Sequence, residues 1–161
     1  MIEPTGKNLI FVLSLPRSGS TLLSAMLANH PQVAAPQEPW LLLRLAGLLG
    51  PGHDSPPYDD YLAGLAMRRL VEEETLVDAA RAFALTVYAR ILAERGASYL
   101  VDKTPRYYHV LDFIDRLFPA AKKIWLKRHP LDVAASYKMR WGLGLDVLLG
   151  ERPDPAMLDF A

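Results

Sequence analysis

The residues best suited to chemistry lie in one short segment near the N-terminus, at positions 15–21. Arg17 carries a permanent positive charge on a planar guanidinium, whose geometry matches the oxygens of phosphate or sulfate. Pro16 and Gly19 interrupt the apolar run that precedes them. The hydroxyl donors of the segment are Ser18, Ser20 and Thr21. This composition predicts a loop that binds an oxyanion.

The flanking sequence predicts how this loop is held. Residues 9–13 form an almost continuous apolar run rich in β-formers, which is typical of a strand buried on both faces in a parallel sheet. From Thr21 onward, apolar side chains recur at helical spacing, at Leu22, Leu23, Met26 and Leu27. The loop therefore lies at a helix N-terminus, where unpaired N–H groups and the helix dipole favour an anion.

The segment differs from the loop that nucleoside triphosphatases use to bind phosphate. That pattern requires a glycine, four further residues and then Gly-Lys-Ser or Gly-Lys-Thr. Here Ser20 follows Gly19, and the earlier glycine is absent. Because no lysine follows the glycine, a P-loop kinase or NTPase is the least favoured function.

Length and composition set the broad class. The 161 residues predict a single domain spanning 1–161, and 51% hydrophobic with 22% charged residues is ordinary for a soluble protein. With 18 basic and 18 acidic residues, no global field favours nucleic acid or a membrane as partner. The chain has no cysteine, and no ligand spacing suggests a metal. Without a signal peptide or an apolar span, we expect a cytoplasmic protein.

Strand and helix patterns alternate along the chain, which indicates an α/β fold with a parallel sheet flanked by helices. The predicted strands are 9–13, 33–35, 98–101 and 123–127. The predicted helices begin at Thr21 and then span 40–49, 58–71, 75–95, 110–118 and 130–140. Between them, residues 50–57 predict a connector or a mobile lid, residues 72–74 a solvated acidic run, and residues 145–149 a weak helix.

Basic and hydroxyl residues also follow the later predicted strands. Lys103 and Arg128 each come directly after a strand, and Ser136 lies in the helix after Arg128. Because the carboxyl ends of parallel strands meet at one edge of a sheet, we expect these side chains to converge with the loop at 15–21 on one crevice. Each also has a plainer interpretation, as a surface charge or a packing residue.

Two of these segments resemble motifs of the sulfotransferases that use 3′-phosphoadenosine 5′-phosphosulfate. Residues 15–23, Leu-Pro-Arg-Ser-Gly-Ser-Thr-Leu-Leu, are similar to the loop that holds the 5′-phosphosulfate in that family. Residues 128–136 match the arginine and serine that hold the 3′-phosphate. The resemblance implies a P-loop NTPase-like sulfotransferase architecture. The donor-binding residues that it implies are Arg17, Ser18, Gly19, Ser20, Thr21, Arg128 and Ser136.

The resemblance also implies a catalytic arrangement. In the tyrosylprotein type and in the sulfotransferase domains of polyketide assembly lines, a glutamate after the first loop is the base. Residues 30–38 resemble that segment and place Glu38 in the base position. The cytosolic type uses the histidine of a Lys-Thr-His triplet, which here is Lys103-Thr104-Pro105, so that base is excluded. Arg17 and Lys103 then stabilise the transferring sulfuryl group, without a metal.

Several neighbouring residues bear on the acceptor. The simpler interpretation of Asp102 is structural, as a cap or as a partner of Lys103. Trp40, Tyr107 and Tyr108 favour a small-molecule or carrier-tethered hydroxyl over a polysaccharide, while core packing is the simpler interpretation of the two tyrosines.

The sequence departs from the family at its C-terminal end. Members of the family are longer, and residues 142–161 contain no counterpart of their basic or glycine-rich segment. We therefore expect a fragment, a truncated product or a shortened relative. A non-catalytic module that binds phosphoadenosine nucleotides is an alternative to an active transferase, and an incomplete sheet edge favours a homo-oligomer.

Overall fold

Four parallel strands form the sheet of this protein, whose computed structural model describes residues 2–47 and 60–142. The strands are β1 (Leu9–Ser14), β2 (Val33–Ala34), β3 (Tyr99–Asp102) and β4 (Lys122–Leu126), in the order β2-β3-β1-β4. In the register, Phe11 of β1 lies opposite Asp102 of β3 and Ser14 lies opposite Leu126 of β4. Every strand pair is parallel, which confirms the predicted α/β class.

Six α-helices and one 3₁₀ turn connect and flank these strands in the described residues. They are α1 (Ser20–Ala28), α2 (Leu41–Ala46), α3 (Asp60–Leu70), α4 (Glu73–Arg95), α5 (Leu111–Leu117) and α6 (Pro130–Trp141), with the 3₁₀ turn at Tyr107–His109. Pro130 suits the first position of α6 because that position has no intrahelical use for an N–H. The predicted strands and helices that fall within the described residues are thus present, with shifted ends.

The core lies around β1, β3, α4 and α5. Leu9, Phe11 and Val12 of β1 are almost fully buried, as expected of a central parallel strand. α4 buries one continuous face, formed by Leu76, Val77, Ala80, Ala84, Tyr88 and Leu92. Phe11 also contacts the rings of Tyr107 and Phe118, each with a centroid distance of 6.1 Å. These aromatic contacts fix β1 against the segment that follows β3.

The segment before α2 departs from the predicted helix at 40–49. The helix spans Leu41–Ala46, and Trp40 precedes it with φ of 54°, in the left-handed region. This turn separates Trp40 and the preceding Glu38 from the helix, so both lie in a loop. The predicted connector at 50–57 and the predicted helix at 145–149 lie outside the described residues.

The acidic run at 72–74 is not simply solvated. Glu73 and Glu74 form the first turn of α4, two residues earlier than the predicted start, and both pair with Arg116 of α5. Residues 72–74 are exposed, as predicted, but the ion pairs were not foreseen because Arg116 lies on a helix that is distant in sequence. Acidic side chains in a first turn also interact favourably with the helix dipole.

The covered face of α1 combines serines and leucines. Ser20 and Ser24 are buried and Leu23 and Leu27 are partly buried, whereas Leu22 is 67% and Met26 62% exposed. Apolar spacing therefore predicted the helix correctly, but two of the four apolar residues that mark it face outward.

Candidate functional site

The loop between β1 and α1 has two residues in the left-handed region. Arg17 has φ of 65° and Gly19, at the N-cap of α1, has φ of 94°. Glycine adopts such a conformation freely, whereas a residue with a Cβ is strained there. Among the described residues, the first turn of α1 has neither an acidic side chain nor a side-chain cap. Its N–H groups can therefore bind an anion.

Lys103 joins this loop to the segment before α2. It follows β3, it is only 5% exposed, and its Nζ lies 2.5 Å from Glu38 Oε1 and 3.4 Å from Thr21 Oγ1. The Glu38 side chain is 32% exposed, so the carboxylate reaches the surface while the ammonium does not. We call Thr21, Glu38 and Lys103 the inner cluster.

The other predicted residues meet on the solvent side of the loop. Arg17 Nε donates to Ser136 Oγ at 3.0 Å, and Arg128 Nη1 donates to the Arg17 carbonyl at 2.9 Å. The Arg17 guanidinium also lies 5.6 Å from the ring centroid of Trp141. Both arginines are exposed. We call Arg17, Arg128 and Ser136 the outer cluster.

The two clusters together contain the side chains that the sequence placed on three separate strand ends. Thr21 of the inner cluster and Arg17 of the outer cluster belong to the same turn of chain, so the loop lies between the two clusters. Their convergence agrees with the parallel topology, which brings the ends of β1, β3 and β4 to one edge. The roles of these residues in binding and catalysis stay predictions.

A buried carboxylate behind the inner cluster was assigned too simply. Asp102 is 1% exposed and does not pair with Lys103: its Oδ2 accepts from Tyr88 Oη at 2.5 Å and from Tyr107 Oη at 2.7 Å. Its Oδ1 accepts from Thr104 Oγ1 at 3.1 Å. Tyr88 lies on α4, where apolar spacing marks it as a core residue without indicating a partner for its hydroxyl. An aspartate at the end of a buried strand was the available signal.

Burial dominates the ionisation of this group. It raises the pKa of Asp102 from 3.8 to about 6, although the three hydroxyl donors oppose the shift. Burial and the nearby carboxylate also raise the pKa values of Tyr88 and Tyr107, so both phenols stay protonated. At neutral pH the carboxylate is ionised and accepts three hydrogen bonds.

The three aromatic residues that the sequence associates with the acceptor differ in burial. Tyr107 is fully buried, so it packs in the core, as the simpler interpretation held, and cannot line an acceptor pocket. Trp40 is half-buried, with the Arg106 guanidinium 5.8 Å from its ring centroid, and Tyr108 is 39% exposed. Trp40 and Tyr108 therefore stay candidates for acceptor contact.

Two kinds of feature are absent from the part of the chain that the structure describes. No group of three or more histidine, aspartate or glutamate side chains is arranged to hold a metal ion there. No helix within residues 2–47 and 60–142 is both long and apolar enough to cross a membrane.

The fold and the two clusters define an α/β protein that gathers basic and hydroxyl side chains at the carboxyl edge of a parallel sheet. A sequence model described as the sulfotransferase family matches residues 9–150. The chain belongs to the sulfotransferase family.

Individual relatives agree with this assignment. The nodulation protein NoeE of Sinorhizobium fredii is 41% identical over 138 residues, which are 83% of this chain and 32% of that protein. Human protein-tyrosine sulfotransferase 1 is 34% identical over 122 residues, covering 74% of this chain and 31% of the relative. The chain thus spans about a third of the length of these curated relatives.

This chain covers a larger share of two solved structures than of these relatives. The sulfotransferase domain from the curacin biosynthetic pathway is 28% identical with a TM-score of 0.55, covering 98% of this chain and 58% of that one. The sulfotransferase domain from the Synechococcus olefin synthase is 33% identical with a TM-score of 0.51, covering 81% and 52%. These matches confirm the sulfotransferase fold.

Proposed function

We propose that this protein transfers a sulfuryl group from 3′-phosphoadenosine 5′-phosphosulfate to an acceptor hydroxyl. The observation that carries the proposal is the position of Lys103, whose ammonium contacts both Thr21 of the anion loop and the Glu38 carboxylate. A cation between an anion-binding loop and a carboxylate can stabilise a transferring anionic group while the carboxylate accepts a proton from a hydroxyl. The donor supplies the activated sulfuryl group.

The chemistry of the available donors fits this nucleotide. The first turn of α1 and the hydroxyls of Ser18, Ser20 and Thr21 are suited to the 5′-phosphosulfate, with Gly19 allowing the backbone to turn toward it. Arg128 and Ser136 are assigned to the 3′-phosphate by their match to the family motif. Arg17 lies within hydrogen-bond reach of Ser136, so it can bridge the two phosphate positions.

Glu38 and Lys103 carry the proposed chemical step. The acceptor oxygen forms a bond to sulfur while the bond from sulfur to the 5′-phosphate oxygen breaks, and Glu38 takes the acceptor proton. Lys103 and Arg17 offset the charge that develops on the leaving oxygen. Such a base contributes about 10²–10⁴ in rate, and one charge-stabilising donor contributes on the order of 10²–10³.

The proposed acceptor is a hydroxyl on a small molecule or on a carrier-tethered chain. Two solved relatives are sulfotransferase domains of the curacin pathway and of an olefin synthase. The half-buried Trp40, two residues from Glu38 in sequence, and the exposed Tyr108 ring are the aromatic side chains available for apolar contact with an acceptor. Protein-tyrosine sulfotransferase 1 carries a different acceptor in its name, and a tyrosyl peptide is therefore the competing substrate to test.

The donor site is tested by calorimetric titration of the purified chain with 3′-phosphoadenosine 5′-phosphate, beside AMP and ATP. We expect the bisphosphate to bind far more tightly than AMP or ATP, Arg128→Ala to strongly weaken its binding, and Arg95→Ala to leave it unchanged. Arg95 is a matched control because it is an exposed arginine in the last turn of α4. A folded chain that does not bind the bisphosphate contradicts the proposal.

Catalysis is tested separately with Glu38→Gln, which keeps the shape of the side chain but removes the base. We expect unchanged bisphosphate affinity and a transfer rate lower by about 10²–10⁴. The alternative function is a non-catalytic module that binds phosphoadenosine nucleotides. Bisphosphate binding without transfer to small hydroxyl acceptors or tyrosyl peptides identifies that alternative.

A further inference from the structure

The proposed reaction makes no direct use of Asp102, yet its environment is the most elaborate polar arrangement described above. The carboxylate is almost completely buried and receives hydrogen bonds from three hydroxyl groups on two different segments of chain. An ionised carboxylate is costly to bury, even when it is well hydrogen-bonded. A neutral side chain at this position would fill the core without that cost. The negative charge therefore indicates a role beyond packing.

Two of the three hydroxyl groups also accept hydrogen bonds from the segment that follows Glu38. Tyr107 Oη accepts from the Leu42 N–H at 3.4 Å, and Thr104 Oγ1 accepts from the Trp40 N–H at 3.4 Å. Both N–H groups lie at the start of α2, where the helix provides them with no carbonyl partner. Because each hydroxyl gives its proton to Asp102, its lone pairs are left to face these N–H groups.

The same carboxylate also lies beside Lys103 in sequence. Asp102 is the last residue of β3, in register with Phe11 of β1, so its position fixes where the next residue leaves the sheet. One residue is thus connected to both members of the Lys103–Glu38 pair. The connection to Lys103 is covalent, and the connection to Glu38 runs through two hydroxyl groups and the backbone at Trp40 and Leu42.

We propose that Asp102 is a positioning residue, which holds the Glu38 segment against Lys103 by orienting the Tyr107 and Thr104 hydroxyls toward the start of α2. The inference rests on the proposed function, since it assigns a purpose to the Lys103–Glu38 pair. The negative charge is essential to it. A protonated carboxyl must itself donate to one of its neighbours, which reverses one of the hydroxyl orientations.

The groups that face Asp102 define the pH range in which this device works. Tyr88 faces it from α4, Tyr107 and Thr104 from the segment after β3, and Glu38 acts on it through its charge. Burial raises the pKa of Asp102 to about 6, and both tyrosines stay protonated throughout the accessible range. The hydroxyls are therefore oriented above about pH 6 and reorganise below it.

Tyr107→Phe and Tyr88→Phe form a matched pair for the test. Each removes one hydroxyl donor from Asp102 Oδ2, but only the Tyr107 hydroxyl also reaches the Leu42 N–H. We expect amide hydrogen exchange at Leu42 to accelerate by about tenfold in Tyr107→Phe, because the amide loses one hydrogen bond. In Tyr88→Phe the exchange rate should stay near that of the wild type. Equal exchange at Leu42 in the two variants overturns the proposal.

A pH titration supplies the readout that a merely structural residue does not move. We expect the amide NMR signals of Trp40 and Leu42 to shift with a midpoint near pH 6 in the wild-type chain, following Asp102. In Asp102→Asn this step is expected to disappear. A step of unchanged size in Asp102→Asn overturns the proposal, because it then arises from another group.

Bisphosphate titration of the same variants separates this inference from the proposed function. We expect Tyr107→Phe and Asp102→Asn to bind 3′-phosphoadenosine 5′-phosphate with wild-type affinity, while kcat for transfer falls about tenfold and the KM for the donor is unchanged. A fall in bisphosphate affinity of the same size contradicts a role confined to the Glu38 side. Absence of binding by the wild-type chain contradicts the proposed function, and the amide measurements still decide the positioning role.

Discussion

The inner and outer clusters use similar side chains in opposite ways. Lys103 is buried and already paired with Glu38, and hydrogen-bonded residues hold both of them from behind. Arg17 and Arg128 are exposed, and their described hydrogen bonds go to a serine hydroxyl and to a backbone carbonyl. The inner charges are balanced within the protein, whereas the outer charges have no acidic partner among the described ion pairs.

This difference indicates how each of the two clusters would interact with the nucleotide. Exposed arginines whose partners are neutral lose little when they turn to a phosphate, and they gain a charge-assisted pair. A buried ammonium held by a carboxylate cannot rearrange so easily, and its field is stronger in the low-dielectric interior. We therefore expect Arg128 and Ser136 of the outer cluster to determine affinity for the nucleotide and the inner cluster to determine rate and stability, with Arg17 contributing to both affinity and rate.

The largest expected effect is that of Lys103→Ala, which removes the centre of the inner cluster. We expect the transfer rate to fall on the order of 10²–10³, because the developing negative charge loses its cation. We also expect a loss of about 1–3 kcal/mol in the free energy of unfolding, since the partners of the ammonium lose their hydrogen bonds. Initial rates and urea denaturation measure the two effects.

Lys7→Ala is the control for Lys103→Ala, because Lys7 is an exposed lysine at the opposite end of β1. It should change neither quantity appreciably. If Lys103→Ala lowers nucleotide affinity but leaves rate and stability intact, the division between the two clusters is incorrect.

The next largest effect concerns the charge behind the inner cluster. Burial raises the pKa of Asp102 from 3.8 to about 6, and at about 1.4 kcal/mol per unit the ionised form costs the fold about 3 kcal/mol at pH 7. The folded chain holds this proton more tightly than the unfolded chain does. The contribution of Asp102 to stability therefore falls as pH rises from about 4 to about 6 and is constant above that range.

Asp102→Asn removes this titration. We expect the free energy of unfolding of the variant, relative to wild type, to improve by about 2 kcal/mol between pH 4 and pH 7.5 in urea denaturation. The other acids are the same in both proteins, so their titration cancels in the difference. A relative stability that does not change with pH shows that the carboxylate is not buried in ionised form.

Local sequence patterns predicted the strands and helices because each depends on a continuous run of residues. Residues 9–13 formed β1, and the apolar face of 75–95 formed the buried face of α4. The covered side of α1 was not predictable, since Ser24 is buried by the arrangement of its neighbours and not by its own polarity. The partner of Glu73 was missed for a similar reason, because Arg116 lies on another helix.

The residues of the candidate site also fall into those that the sequence could predict and those that it could not. Strand-end positions and motif spacing identified Arg17, Lys103 and Arg128, because parallel strands end at one edge whatever their order. The buried network was not identified, since the Tyr88 hydroxyl meets Asp102 only when α4 packs on β3. A polar residue next to buried strand residues indicates such a network, but the sequence does not show which residues hydrogen-bond to it.

The third effect belongs to the outer cluster. We expect Arg128→Ala to weaken binding of the bisphosphate by about 10- to 100-fold, because charged hydrogen bonds to the ligand are lost. The free energy of unfolding should change by less than about 0.5 kcal/mol. Because the arginine is exposed, its contribution should also decrease with added salt. Calorimetry at two ionic strengths and urea denaturation measure these effects. A large loss of stability in Arg128→Ala contradicts the assignment of this residue to ligand binding alone.

The smallest expected effect is that of Ser136→Ala, which separates the two proposed roles of the outer cluster. The hydroxyl accepts from Arg17 Nε in the free protein and is assigned to the 3′-phosphate in the complex. A neutral hydrogen bond contributes about 0.5–1.5 kcal/mol, so bisphosphate affinity should fall about two- to tenfold. AMP lacks the 3′-phosphate, so its weak binding should not change. If Ser136→Ala weakens AMP and bisphosphate equally, the serine acts by orienting Arg17 in the loop, and the 3′-phosphate must be bound elsewhere.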